Sequence, residues 1–288
     1  MTTNKINGRT RLVGLLGTPI KQTKSPHMHN SAFQYLDLDY AYLAFEVGNE
    51  ALKQALDGLK VLNAAGCNVT MPNKQTVLPL LDELSQEAKL IGSVNTVLND
   101  SGKLIGYNTD GRGFVKNLEE NGVKVKGKKF LVAGAGGAGR AVAIQLAIDG
   151  AAEIFLIDVN DDLAKEVCGT INNNIETCKA TPAKFGEFDL KEKLKAVDVL
   201  VNCTPLGMYP NEDKSIVDSA DMLYPELIVA DIVYSPLKTK LLSMAEEAGC
   251  KTVTGIGMMI WQGALAFKIW TGVDMPVDYI KDIILGSK

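Results

Sequence analysis

A glycine-rich turn near the middle of the chain limits the fold more than any other feature. It is made of small residues in the order Gly134, Ala135, Gly136, Gly137, Ala138 and Gly139. The apolar run 130–133 precedes it, the helix-like stretch 140–147 follows it, and a second apolar run then ends in Asp158. This order of strand, G-x-G-x-x-G turn, helix, strand and acid is the fingerprint of a dinucleotide-binding βαβ unit. The sequence therefore predicts that the turn and Asp158 bind a dinucleotide.

The acid at the end of the second run favours NAD over NADP. A carboxylate at this position accepts hydrogen bonds from the ribose hydroxyls, and it repels a 2′-phosphate. The residues that follow Asp158, 159–162, include neither Lys nor Arg to hold such a phosphate. NAD is therefore the preferred cofactor, with NADP as the alternative. For Asp158 itself, the alternative is a plain helix N-cap.

A second candidate cofactor segment follows the apolar run 197–201. Just beyond this run lie Asn202, Thr204, Pro205 and Met208. Ligands of open α/β sheets bind beyond the carboxyl ends of the strands. We therefore expect these residues to contact the ribose or the nicotinamide, with an ordinary strand-end turn as the alternative.

Strand-like and helix-like segments alternate on both sides of the glycine-rich turn, which indicates an α/β fold. The chain has 288 residues, which is enough for two domains. We expect an N-terminal α/β substrate domain, residues 1–109 together with a returning tail, 257–288, plus a Rossmann-type doubly wound dinucleotide-binding domain, 110–256. In the first domain, apolar spacing predicts a helix over residues 75–84.

The composition gives no reason to expect a nucleic-acid or membrane partner. The net charge is −4, and no apolar run is long enough for a signal peptide or an uninterrupted membrane span. The five cysteines form no C-x-x-C pair, which is typical of reduced thiols. His27 and His29, two residues apart, cannot share a helix face, and with no third ligand in evidence they do not indicate a zinc site. We expect a cytoplasmic protein without a metal whose partner is a small-molecule substrate. A homodimer is left open.

Lys74 and Asp110 are the candidate catalytic residues. Lys74 follows a buried-looking strand and Pro72, which stiffens the turn, and Asp110 lies in the turn 108–111. A helix is predicted to begin only at residue 113. Hydride transfer to a ketone creates an alkoxide, which an ammonium group can protonate while a carboxylate holds that ammonium in place. The alternatives are a solvated lysine and an aspartate that caps a turn.

Several polar or glycine-containing motifs occur along the chain in a fixed order. They are Asn68-Val69-Thr70-x-Pro72-x-Lys74, Val94-Asn95-Thr96, Gly106-Tyr107-Asn108-Thr109-Asp110-Gly111, the turn 134–139, Asn202-x-Thr204-Pro205-x-Gly207-Met208 and Gly257-x-x-x-x-Trp261-Gln262-Gly263. Together they resemble the shikimate dehydrogenase family over residues 11–272. The segments 71–74 and 261–272 are most similar to its quinate/shikimate dehydrogenase branch.

The resemblance implies a reversible NAD(P)-linked reaction at the 3-position of a cyclic carboxylic acid, with Lys74 and Asp110 as the catalytic pair. It also implies a set of substrate-binding residues, namely Thr23, Ser25, Thr70, Asn95, Tyr234 and Gln262. Thr23 replaces the usual serine, and Lys24 stands where an apolar residue is usual. Gly255 and Met258 are expected to lie at the cofactor, with a core position as the simpler alternative for Met258.

We therefore expect a quinate/shikimate dehydrogenase that interconverts shikimate and 3-dehydroshikimate, and quinate and 3-dehydroquinate, with NAD preferred. The alternative enzyme is a shikimate-specific, NADP-dependent dehydrogenase. A more distant alternative is a non-catalytic metabolite-sensing homologue that keeps the fold. Because the sequence contains both Lys74 and Asp110, the catalytic interpretation is favoured.

Overall fold

The structure, a computed structural model, describes residues 6–184 and 190–286. It divides into two compact units. The first unit comprises Met1–Thr109 and Gln262–Lys288, and the second unit comprises Asp110–Trp261. The return to the first unit occurs at residue 262, inside a continuous helix.

The first unit contains a mixed sheet. Its strands within the described residues are β1 (Arg11–Gly17), β2 (Tyr40–Glu46), β3 (Gly66–Val69), β4 (Glu83–Leu84), β5 (Thr96–Asp100) and β6 (Lys103–Tyr107). Its helices before the second unit are α1 (Ser25–Tyr35), α2 (Leu52–Val61), α3 (Asn73–Thr76) and α4 (Gln86–Ile91), with 3-10 turns at Asn49–Ala51 and Leu78–Leu80. The strand order is β2-β1-β3-β5-β6-β4, and only β3/β5 and β5/β6 are antiparallel among these pairs.

The helix predicted over residues 75–84 is wrong. This segment contains the end of α3, the 3-10 turn Leu78–Leu80 and strand β4. Pro79 lacks the backbone N–H that a continuous α-helix needs. In addition, β4 pairs with β6, so sheet formation overrides the local helical spacing.

The second unit contains a fully parallel sheet. It begins with α5 (Asp110–Glu120), and the elements that follow are β7 (Lys129–Ala133), α6 (Gly137–Ile148), β8 (Glu153–Asp158), α7 (Asp161–Asn174), β9 (Lys179–Lys184), α8 (Leu190–Leu194), β10 (Val199–Asn202), a 3-10 turn at Ala220–Met222, β11 (Ile228–Asp231), α9 (Lys240–Glu247) and β12 (Lys251–Val253). The strand order β12-β11-β10-β7-β8-β9 is the doubly wound order 3-2-1-4-5-6 read backwards. The predicted α/β class with a Rossmann-type sheet is therefore confirmed.

Two further helices complete the chain. The long helix α10 (Gly255–Thr271) begins in the second unit and ends in the first, and α11 (Val277–Ile284) belongs to the first unit. The apolar side chains in the second half of α10 pack in the core of the first unit. Trp270, for example, is buried and donates a hydrogen bond from Nε1 to the carbonyl oxygen of Val97 at 3.0 Å. The end of the chain therefore lies in the first unit.

An aromatic stack in the core of the first unit surrounds a buried histidine. His29 of α1 stacks on Tyr42 with a ring separation of 4.5 Å, and the edge of its ring meets Trp270 at 5.3 Å. Neither ring nitrogen has a hydrogen-bond partner among the described residues. Burial lowers the pKa of His29 from 6.5 to about 3, so the ring is neutral in the folded protein at neutral pH.

We expect the buried His29 to lower the stability of the first unit at acid pH. Between pH 6.5 and about 3, the unfolded chain binds a proton at His29 and the folded chain does not. The contribution of neutral His29 to the free energy of unfolding is therefore fully present above pH 6.5. As the pH falls below 6.5, this contribution decreases by about 1.4 kcal/mol per pH unit. Urea titrations at neutral and acid pH should show a smaller loss in His29→Phe or His29→Leu. His27→Gln, on the exposed side of α1, is the control, and an unchanged acid loss in both His29 variants would contradict the assignment.

Candidate functional site

The glycine-rich turn between β7 and α6 is packed too closely for side chains at two positions. Gly134 has a φ of +101°, and a Cβ there would lie 2.7 Å from the carbonyl oxygen of Cys203. A Cβ on Gly139 would overlap the carbonyl oxygen of Gly134. These two glycines therefore let the turn approach both the end of β10 and the first turn of α6.

The middle of the same turn faces open space. Apart from the adjoining backbone of the turn and of α6, no described heavy atom lies within 4 Å of the position that a Cβ would take on Gly136 or Gly137. Gly136 is the N-cap of α6, and Gly137 is the first residue of that helix. The first turn of a helix has N–H groups without intrahelical acceptors and a positive dipole end. An open helix start of this kind fits a diphosphate group, so residues 134–139 meet the requirements of a dinucleotide site.

Asp158 is tied to the glycine-rich turn. Its Oδ2 accepts a hydrogen bond from the backbone N–H of Ala135 at 2.6 Å, and its Oδ1 accepts one from the N–H of Asn160 at 2.8 Å. The N-cap of α7 is Asn160, whose side chain accepts from the N–H of Asp162. The alternative interpretation of Asp158 as a plain N-cap is therefore wrong, because its carboxylate joins β8 to the turn.

Few basic side chains accompany this carboxylate. Arg140, in the first turns of α6, forms an ion pair with Glu166 at 2.6 Å. Val159, the residue after Asp158, is 92% exposed. Asp161 and Asp162 then open α7. The segment after β8 thus presents acidic and apolar groups at the position where an NADP-binding site presents cations.

The buried side chain of Asn202 fixes the loop after β10 through hydrogen bonds. This residue is buried, and its Oδ1 accepts from the N–H and the hydroxyl of Thr204 at 3.0 and 2.7 Å. Its Nδ2 donates to the carbonyl oxygen of Leu206 and to Asp231. Asn202 therefore shapes the loop, whereas Pro205 and Met208 are exposed on it.

Asp231, which no sequence motif marks, is the common acceptor in this arrangement. It accepts hydrogen bonds from Asn202 Nδ2, from the N–H of Val233 and from the hydroxyl of Thr239 at 3.0, 2.9 and 2.7 Å. Burial raises its pKa to about 6, and these hydrogen bonds partly offset that effect. The available signal was an acid inside the apolar run 227–233, where a buried charge needs hydrogen-bond partners.

The other predicted residues of the second unit differ in exposure. Tyr234 is 40% exposed just after β11, where a ligand could reach it. Gly255 lies so close to the carbonyl of Ile232 that a Cβ would overlap it, which gives this glycine a packing role. Met258 is buried, in agreement with the simpler core interpretation.

In the first unit, the predicted carboxylate-binding hydroxyls lie together. Thr23 Oγ1 donates to Ser25 Oγ at 3.2 Å, and the backbone N–H of Ser25 donates to Thr23 Oγ1 at 3.3 Å. Ser25 is the first residue of α1, and Lys24 between the two is exposed. Two hydroxyls and a positive helix end form a suitable environment for a carboxylate.

Lys74 and Thr70 are positioned by the backbone after β3. Lys74 is half-buried in α3, and its carbonyl oxygen accepts a hydrogen bond from the N–H of Val94 at 2.9 Å. Thr70, also half-buried, donates its N–H to Leu16, and its carbonyl accepts from Asn73. These hydrogen bonds fix the strand end and the following helical turn to their neighbours. The backbone that carries the Lys74 side chain is therefore rigid.

Asn95 connects this region to the end of the first unit. Its Oδ1 accepts from the N–H of Thr109 and its Nδ2 donates to Thr109 Oγ1, both at 2.9 Å. Asp110 follows as the first residue of α5 and is only 8% exposed. The predicted turn at Asp110 is wrong in this respect, because aspartate is favourable in the first turn of a helix and α5 begins there. Gln262 is half-buried in the apolar helix α10.

The described residues give no sign of a metal centre or a membrane segment. No three His, Cys, Asp or Glu side chains in residues 6–184 and 190–286 come together as a metal ion would require. None of the helices in these ranges combines the length and the apolar composition of a membrane crossing.

Family models match two parts of this chain, and known proteins match nearly all of it. Residues 15–97 match the shikimate dehydrogenase substrate binding domain, and residues 255–285 match the shikimate 5′-dehydrogenase C-terminal domain. The shikimate dehydrogenase (NADP(+)) of Alkaliphilus metalliredigens is 58% identical over 98% of this chain and 99% of its own.

Two solved structures show the same similarity in three dimensions. Shikimate 5-dehydrogenase from Listeria monocytogenes, in complex with shikimate and NAD, is 48% identical, with a TM-score of 0.94 over 98% of this chain and 99% of its own. Quinate dehydrogenase from Corynebacterium glutamicum, in complex with NAD, is 33% identical, with a TM-score of 0.89 over 96% of this chain and 99% of its own. Identity at this level over nearly the whole chain establishes that it belongs to the shikimate dehydrogenase family, a group of oxidoreductases that act on a CH–OH group.

Proposed function

We propose that this chain is a cytoplasmic quinate/shikimate dehydrogenase that interconverts shikimate and 3-dehydroshikimate, also accepts quinate, and prefers NAD. The similarity to the Listeria enzyme, whose structure contains shikimate and NAD, carries the proposal. The quinate dehydrogenase among the structural relatives supports quinate as a second substrate. The glycine-rich turn, which has room for a diphosphate, supports the dinucleotide.

Lys74 and Asp110 are proposed to move the proton. When the nicotinamide is bound, it takes up a hydride from C3 of the acid or returns one. In the reducing direction, Lys74 Nζ gives a proton to the carbonyl oxygen at C3, and in the oxidising direction the amine takes the hydroxyl proton back. Asp110 is proposed to hold the amine of Lys74 in place for this transfer. The rigid backbone around α3 and the start of α5 supports these roles, because catalysis needs fixed donors and acceptors.

The remaining predicted residues are proposed to recognise the substrate. Thr23 and Ser25 donate hydroxyl hydrogen bonds to the carboxylate, and the exposed ammonium of Lys24 adds attraction. Ring hydroxyls are bound by the polar side chains of Thr70, Asn95, Tyr234 and Gln262. A site that satisfies several hydroxyl groups discriminates against analogues that lack them, because its own polar groups are then left without partners.

The preference for NAD rests on Asp158. Its carboxylate is held beside the glycine-rich turn by the N–H of Ala135, where it can accept hydrogen bonds from the ribose hydroxyls. A 2′-phosphate would face this negative charge and the two acids that open α7. A shikimate-specific, NADP-dependent enzyme is the second candidate, and the name of the Alkaliphilus relative favours it.

Steady-state rates with both acids and both cofactors separate the two candidates. We expect a higher kcat/KM with NAD than with NADP, and measurable oxidation of quinate. Val159→Arg should raise kcat/KM for NADP about tenfold, because an arginine after the ribose-binding acid can hold a 2′-phosphate and the site is solvent-exposed.

The matched control is Val159→Gln, which adds length without charge and should leave the cofactor ratio unchanged. A higher kcat/KM with NADP in the unaltered protein would overturn the NAD preference. Absence of any rate with quinate would restrict the enzyme to shikimate.

A further inference from the structure

A buried carboxylate joins the two loops of the second unit that follow β10 and β11. Asp231 is the last residue of β11 and is 1% exposed. Its Oδ1 accepts hydrogen bonds from Asn202 Nδ2 at 3.0 Å and from the N–H of Val233 at 2.9 Å. Its Oδ2 accepts one from the hydroxyl of Thr239, the N-cap of α9, at 2.7 Å. One side chain therefore connects the end of β10, the segment after β11 and the start of α9.

Each of the three donors around this carboxylate has a fixed direction. Asn202 Oδ1 accepts from the backbone N–H of Thr204, which can only donate, so the amide nitrogen of Asn202 must face Asp231. Thr239 Oγ1 accepts from the N–H of Leu242, and its proton is directed at Asp231. The third donor is a backbone N–H. Because all three neighbours donate, the group between them has to be one that only accepts, and an ionised carboxylate is such a group.

This carboxylate is not explained by stability alone. Burial raises the pKa of Asp231 from 3.8 to about 6, and the three hydrogen bonds only partly offset that effect. The unfolded chain therefore releases the proton at a lower pH than the folded chain, so the ionised group lowers the free energy of unfolding at neutral pH. A local arrangement that costs stability is typical of functional regions.

The loop after β10 packs directly on this arrangement. A Cβ on Gly207 would lie 3.1 Å from the Cβ of Thr239. The first part of the loop contacts the glycine-rich turn, because a Cβ on Gly134 would lie 2.7 Å from the carbonyl oxygen of Cys203. The neighbouring order β11-β10-β7 puts these strand ends side by side at the carboxyl edge of the parallel sheet, which is where such sheets bind ligands.

We propose that Asp231 is a positioning residue that holds the loop 202–208 and Tyr234 in one fixed arrangement. This inference rests on the proposed function, with the loop at the ribose or the nicotinamide and Tyr234 at a ring hydroxyl. Asp231 itself is buried and touches neither ligand in this scheme. It acts through Asn202, which shapes the loop, and through the N–H of Val233, which fixes the backbone immediately before Tyr234.

Asp231→Asn, assayed at pH 8 with the preferred dinucleotide, tests the proposal. The amide keeps the size of the side chain, but its Nδ2 then faces the hydroxyl of Thr239, whose proton loses its acceptor. We expect KM for the dinucleotide to rise about tenfold. The temperature of thermal unfolding should change little, because removal of a buried charge offsets the lost hydrogen bond.

Asp198→Asn is the matched control. Asp198 directly precedes β10, at the amino edge of the same sheet, and its Oδ2 also accepts a backbone N–H from a neighbouring strand, that of Lys129 at 2.8 Å. Its replacement should leave both KM values unchanged, because ligands bind at the opposite edge.

Tyr234→Phe separates the two consequences of the Asp231 change. Asp231→Asn should also raise KM for shikimate, by about threefold, because Tyr234 is displaced. In the Tyr234→Phe background this rise should disappear, whereas the rise in KM for the dinucleotide should remain. A rise in KM for shikimate that persists in full in this background would contradict positioning through Tyr234.

Unchanged KM values together with a lower unfolding temperature would make Asp231 a purely structural residue and overturn the proposal. Should Asp231→Asn fold poorly, Thr239→Val and Thr239→Ser take its place. Valine removes the hydroxyl that Asp231 accepts from and should raise KM for the dinucleotide, whereas serine keeps the hydroxyl and should not. Equal values in the two variants count against the role. If the unaltered protein neither binds a dinucleotide nor oxidises shikimate, the proposed function itself fails, which is a separate outcome.

Discussion

Lys74→Met is expected to lower kcat for shikimate oxidation by about 100- to 10,000-fold, the usual contribution of a positioned proton donor or acceptor. KM for shikimate should change little, because the carboxylate and the ring hydroxyls keep their partners. Methionine preserves most of the side-chain length and removes the ammonium group, so half-buried packing around α3 is largely kept.

Lys89→Met is the control for Lys74. Lys89 lies exposed in α4 of the same unit and has no predicted role in the reaction. Its replacement should leave kcat and KM unaltered. If Lys74→Met acted on KM alone, Lys74 would be a binding residue and the proton-transfer role would be wrong.

Gly139→Ala is expected to abolish cofactor-dependent activity and to destabilise the second unit. The added methyl group would overlap the carbonyl oxygen of Gly134, and a backbone atom cannot move aside as a flexible side chain can. The turn must then open, which separates the helix start of α6 from the strand end that it has to face. Thermal unfolding and KM for NAD measure the two effects.

Gly137→Ala separates cofactor binding from folding. A methyl group at this position points into open space, so thermal unfolding should be unchanged. The same space is where we propose that the diphosphate lies, and KM for NAD should therefore rise. If Gly137→Ala bound NAD normally, the diphosphate would have to lie elsewhere, and if Gly139→Ala were as stable and active as the unaltered protein, the close packing of the turn would be irrelevant.

The local parts of the cofactor site could be predicted because they depend on short-range pattern. The glycine-rich turn, the strands beside it and the acid at the end of β8 follow one another within a single βαβ unit. What the pattern could not give was the partner of Asp158. Its bond to the N–H of Ala135 depends on how β7 and β8 pair, and the capping of α7 by Asn160 excludes the helix-cap alternative.

Hydrogen bonds that join residues of different strands could not be predicted from the sequence. The bond from the Tyr42 hydroxyl to Asn68 Oδ1, at 2.7 Å, depends on the register of β1 with β2 and β3. Asp231 lies inside an apolar run of the sequence, and only the packing of β10, β11 and α9 makes it the common acceptor of three donors. The missed start of α5 has a different cause, because the turn composition around Asp110 is equally suitable for a helix N-terminus.

The most direct test follows the absorbance of reduced nicotinamide after the purified chain is mixed with shikimate and NAD, in parallel with Lys74→Met. We expect a steady rise with the unaltered protein and a rate lower by at least about 100-fold with the variant. No rise in either sample, or equal rates in both, would contradict a dehydrogenase that transfers its proton through Lys74.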